Sequence, residues 1–200
     1  MSAALYPTPS LPEGYTLARE INLLRDRNLA LGLNLAALMA FFLVMLALNA
    51  LLILMRPGGV SLTFTGDSML GTLALLVGLT VVNLVVHEAI HGLFFYVFTR
   101  TRPVFALRLA YAYAAAPDWY IPARAYTVIG LAPLILIDLV CLLLMLLVPA
   151  WTFALALVIG LNTSGAVGDL FIVGLVLRSR RDCLVNDRGD SVAVYAPSGE

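Results

Sequence analysis

The sequence predicts an all-α polytopic membrane protein with about four transmembrane helices and a short strand or hairpin inserted between the second and third. Three observations predict it. Hydrophobic residues make up 62% of the chain, charged residues only 12%, and mean hydropathy is +0.97, which is more apolar surface than one soluble core hides. Four apolar runs are each long enough to cross a bilayer. The arginines fall in alternate segments between those runs, as they do in polytopic proteins.

The lead, Met1 to Arg27, carries Pro7, Pro9 and Pro12 and then Thr16 to Leu23, which reads as a short strand or an amphipathic lead-in. The first span runs from about Leu29 to Met55, interrupted only by Asn34 and Asn49, and Arg56-Pro57-Gly58-Gly59 stops it. It is too long for a signal-peptide core, so nothing indicates cleavage. A loop over Val60–Ser68 leads to the second span, about Met69 to Phe98. At about 45 Å as a helix it outruns a hydrocarbon core of about 30 Å, so it either projects into the headgroups or breaks near Gly92.

Between Val104 and Tyr113 the residues alternate with the period of a strand, Phe105, Leu107, Leu109, Tyr111 and Tyr113 sharing a face. Pro117 to Pro122 follows as an aromatic turn suited to the interface. This stretch is read equally as a connecting hairpin and as a surface for extended substrate. The third span runs from about Tyr126 to Leu147, with Gly130, Pro133 and Asp138 inside it, and the fourth from about Trp151 to Leu177. The polar tail, 178–200, has a turn signal at Asp187 to Asp190. The whole of 1–200 reads as one membrane-embedded domain.

All twelve cationic residues are arginine, and the formal net charge is zero, so no polybasic tract points to nucleic acid. The lead, the second loop and the tail hold three, four and four arginines, against one in the first loop and none in the third. The positive-inside rule therefore puts both termini in the cytosol, with a prokaryotic plasma membrane as the default location. Cys141 and Cys183 have neither the number nor the spacing of a disulfide framework or thiolate metal site.

Chemistry concentrates in the second span, where His87-Glu88-Ala-Ile-His91 contains the protein's only two histidines. Four residues apart on a helix, they present two imidazoles from one face, and Glu88 stands beside them as a carboxylate base. Ionisable groups within a membrane are costly and are retained mainly for function. A catalytic zinc needs a third ligand and an open position, and with no further histidine the candidates are Asp169 and Asp138. His91 lies nine residues before Arg100 and Asp169 nine before Arg178, each about 13 Å from its arginine. Asp138, about 21 Å beyond Arg124, matches the depth of His87 almost as well. Gly165 and Gly168, which allow close backbone approach, and the amide of Asn162 favour Asp169. Asp138 is then a carboxylate that pairs helices or orients a ligand histidine.

His87-Glu-Ala-Ile-His91 and Asn162-Thr-Ser-Gly-Ala-Val-Gly-Asp169 resemble the two site-bearing helices of site-2 protease-type intramembrane metalloproteases. With Leu11-Pro-Glu-Gly-Tyr15, Ala116-Pro-Asp-Trp-Tyr-Ile-Pro122 and Gly168-Asp169, most of the chain resembles the zincin peptidase family of small prokaryotic membrane proteins. The resemblance implies that His87, His91 and Asp169 hold Zn2+, that Glu88 is the base, and that Asn162 assists the oxyanion or positions substrate. Unlike site-2 proteases, this chain has glycine before the aspartate and no proline between Asn162 and Asp169.

The expected activity is hydrolysis of peptide bonds in membrane-protein substrates by Glu88-assisted attack of zinc-bound water. Substrate unwinds and pairs with the stretch at 104–113 as an added strand. The main alternative is a catalytically silent metal-binding scaffold, against which the intact Glu88 argues. A metal transporter is weaker, because few polar residues line a path and no inverted repeat is present.

Overall fold

The computed structural model describes residues 6–22, 25–55, 69–107 and 112–198. The Arg56–Gly59 stop, the loop over Val60–Ser68 and the centre of the 104–113 stretch lie outside them. The elements in order are β1 (Tyr15–Asn22), α1 (Arg27–Met55), α2 (Met69–Thr99), β2 (Val104–Leu107), β3 (Ala112–Ala115), β4 (Ile121–Pro122) and α3 (Ala123–Leu147). A short 3-10 turn at Pro149–Trp151 then leads into α4 (Thr152–Gly165), α5 (Val167–Arg178), β5 (Leu184–Asp187) and β6 (Ser191–Pro197).

Among the described residues three helices are long and apolar enough to span a membrane, and α4 with α5 makes a fourth if the bent pair counts as one. Leu38 and Leu46 of α1, Val81 and Val85 of α2, and Leu139 and Leu146 of α3 all lie exposed. Such rows of apolar side chains are what candidate membrane spans present, by length and composition.

α2 is unbroken through Gly92, where a Cβ would overlap the ring of Phe105 from β2. The helix ends at Arg100, whose φ of 59° turns the chain out of helical geometry while its N–H still bonds Tyr96 O. The expected single fourth span is instead two helices bent by 45° about Ala166. Asn162, Thr163, Ser164 and Gly165 are weak helix formers, and the first two spend their side chains on another helix, so propagation fails there.

The strand content exceeds the all-α expectation. The lead and the tail join β4 in a four-stranded antiparallel sheet of order β1-β6-β5-β4, and β2 and β3 form a separate hairpin with Val104 opposite Ala115. The period-2 stretch is thus folded back on itself. The sheet sits where α1 and α3 begin and α2 and α5 end, and Ile121, Val185 and Val194 bury against Phe95, Tyr126, Ile129 and Val176. A second core joins α1, α3 and α4 through Leu48, Ile137, Cys141, Leu155 and Ile159. Gly160 gives the close approach of α4 to Phe41 of α1, and Gly130 that of α3 to Val173 of α5. At Gly165 and Gly168, where close approach was expected, a Cβ would meet nothing within 4 Å.

Candidate metal centre

His87 and His91 lie one turn apart on α2, and both are buried, at 6% and 7% exposure. Asp169 reaches them from the first turn of α5, a position that the break at Ala166 creates and that suits a carboxylate electrostatically. His87 Nε2 is 3.1 Å and His91 Nε2 is 3.4 Å from the same Asp169 Oδ2. The three donor atoms lie within 4.8 Å of one another.

Each imidazole is held from behind. Asn162 is fully buried on α4, and its Nδ2 donates to Asp138 Oδ1 at 2.8 Å. That bond turns Asn162 Oδ1 toward His87, 2.9 Å from Nδ1. Because an amide oxygen only accepts, His87 Nδ1 carries a proton, which leaves Nε2 as the ring atom turned to Asp169 and His91. Thr163 Oγ1 donates to Asp138 Oδ2 at 3.0 Å and fixes the other end of the relay. Asp138 therefore stands behind His87 rather than among the clustered donors.

His91 is oriented differently. Its Nδ1 lies 3.0 Å from the main-chain oxygen of Ile129 on α3. In a regular helix that carbonyl would accept from the N–H of the residue four positions on, but here that residue is Pro133, which has none. The proline interrupts α3 and the histidine takes the released acceptor, so His91 too carries its proton on Nδ1.

Glu88 lies beside the backbone of Ala114 in β3. Beyond the helices, Tyr126 Oη donates to Asp187 Oδ2 at 2.7 Å and the Gly189 N–H to Asp187 Oδ1 at 2.8 Å. Burial raises the Asp187 carboxyl above its ordinary pKa, partly offset by these two donors. The sequence marked Asp187 only as a turn residue. The supporting carbonyl of Ile129 carries no side-chain signature, although Pro133 is a visible sign of a freed carbonyl.

The donor set fits zinc. Two imidazole nitrogens and one carboxylate oxygen are the ligands of a catalytic site, and tetrahedral zinc with bonds of about 2.05 Å separates its donors by about 3.3 Å. The two nitrogen-to-oxygen separations of 3.1 and 3.4 Å bracket that value. An HExxH helix whose histidines meet a carboxylate from a later helix is the arrangement of a zincin-type metallopeptidase. The chain belongs to the family described as "Putative zincin peptidase", whose model matches residues 80–184, just over half its length. That span holds His87, Glu88, His91, Asp138, Asn162 and Asp169, and omits β1, α1 and β6. No curated protein and no solved structure matches the chain.

Proposed function

We propose that the protein is a membrane-embedded zinc metalloendopeptidase of site-2 protease type that cleaves membrane-protein substrates near the cytosolic face. The observation that carries this reading is the convergence of His87 and His91 Nε2 on one Asp169 oxygen while both Nδ1 atoms are held elsewhere. His87, His91 and Asp169 would hold the metal. Zinc, when bound, supplies a Lewis acid that acidifies water and polarises a peptide carbonyl. Glu88 takes a proton from the attacking water on its carboxylate and passes it to the leaving amine nitrogen as the peptide C–N bond breaks. Asn162 acts through His87 as a positioning residue, since both ends of its amide are already engaged.

Substrate must leave its own helix to expose a carbonyl, and the β2–β3 hairpin beside Glu88 offers backbone for an extended segment. The test is new peptide termini, read by mass spectrometry, when the zinc-loaded protein is reconstituted with a mixture of membrane-protein segments. Glu88→Gln should keep its zinc and lose cleavage by at least about 100-fold. Cleavage undiminished in Glu88→Gln would refute the mechanism, and a zinc-loaded wild type that cleaves nothing would favour the silent scaffold.

A further inference from the structure

We propose that the junction of β1, α1 and α5 binds one anionic glycerophospholipid. A cavity of about 800 Å³ opens there, away from the metal centre, lined by Arg19, Arg25, Arg27, Leu29, Phe171 and Leu175 together with Glu20 and Asp26. Its two sides differ in chemistry. The polar side comes from the end of β1 and the turn into α1, and the apolar side from the first turn of α1 and one face of α5.

The turn itself is satisfied. Asp26 Oδ1 caps α1 by accepting the Leu29 N–H at 2.9 Å, and Asn22 Oδ1 accepts the Arg25 N–H at 3.2 Å. The three guanidiniums are not. Among the described residues none of them is in an ion pair, and Arg19, Arg25 and Arg27 all lie exposed. Three arginines and two carboxylates line the cavity, so its polar side carries a net positive charge.

A phosphodiester carries one delocalised negative charge and oxygens spaced for the guanidinium fork. A free phosphate would satisfy the arginines but leave Leu29, Phe171 and Leu175 uncovered. A phospholipid covers both, with its phosphate on the rim and an acyl chain on the apolar wall. The depth agrees, because Arg27 is the first residue of the apolar span of α1, where headgroup gives way to hydrocarbon. Phe171 lies two residues after Asp169, so the lipid would touch the half-helix that supplies the third donor of the metal centre.

The test is native mass spectrometry of the full-length protein, delipidated in detergent and titrated with phosphatidylglycerol, phosphatidylcholine or inorganic phosphate. Wild type should retain a single phosphatidylglycerol, bind phosphatidylcholine about tenfold more weakly, and release the lipid to neither phosphate nor salt at moderate concentration. Arg25→Lys with Arg27→Lys preserves every charge that directs insertion but removes the forks, and should weaken phosphatidylglycerol about tenfold. Leu175→Trp fills the apolar wall without touching charge and should weaken it similarly. Equal retention of the two lipids, or undiminished phosphatidylglycerol in a folded example of either variant, would overturn the proposal. Displacement of the lipid by equimolar inorganic phosphate would assign the site to a soluble anion and overturn it as well.

Discussion

Pro133 removes one hydrogen bond from α3, and the carbonyl it frees at Ile129 holds the His91 ring. Pro133→Ala restores the missing N–H, which competes with His91 for that oxygen. The variant should gain thermal stability while binding zinc about tenfold more weakly, opposite signs that a melting curve and a chelator competition separate. Asn162→Ala removes the acceptor that sets the His87 tautomer and should cost about 10- to 100-fold in zinc affinity. The pairing of His87 with His91 was legible because helix geometry fixes residues four apart on one face. Their supports were less so, since Ile129 contributes a main-chain oxygen and Asp138 acts only through Asn162. At Asp187 the sign of the pH dependence follows from burial. Its folded pKa is raised, so its contribution to stability is full below the unfolded value of about 3.9 and is lost as pH rises through the folded one. Asp187→Asn keeps an acceptor for Tyr126 and should therefore gain stability relative to wild type as pH increases from about 4 to 7. A stability difference independent of pH would contradict this.

At the scale of elements, the fourth apolar run was legible as helix, but its break was not. Hydropathy is continuous from Trp151 to Leu177, whereas the break arises because Asn162 and Thr163 bond Asp138 across helices. The break gives Asp169 a position in the first turn of α5 that an unbroken helix would not provide. The hairpin was half legible: alternation revealed extended backbone, but a period of two does not say whether one strand continues or two pair. Phe105 locks the hairpin onto α2 over Gly92, one residue beyond His91. Gly92→Ala should push that ring aside, loosen the hairpin on α2 and cut peptide cleavage more than it cuts stability, because Phe105 is more than half exposed and adds little to the core. Phe105→Ala removes the anchoring ring without any clash and should lose the same β2–β3 protection from hydrogen exchange, and protection retained in both variants would contradict the anchoring role.

Across the whole molecule, the segments that carry eleven of the twelve arginines are those that meet at the sheet end of the helices. Charge patterning grouped the lead, the second connection and the tail, but nothing in the sequence said that β1 would pair with β6 nearly the full chain length away. Strand pairing over that separation depends on packing, and Val185 and Val194 supply it by burying fully against α3 and α5. Val194→Ala should destabilise the fold by about 1.5–3 kcal/mol, measurable as a lower melting temperature with zinc stoichiometry unchanged. Whether His87, His91 and Asp169 form one zinc centre is read from metal content per chain in purified wild type and in His87→Ala, Asp169→Ala, Asp138→Ala and Glu88→Gln. The account predicts about one zinc in wild type and Glu88→Gln, weaker but persistent binding in Asp138→Ala, and none in His87→Ala or Asp169→Ala. A wild type that takes up no zinc when supplied, or an Asp169→Ala protein that keeps it while Asp138→Ala loses it, would contradict the account.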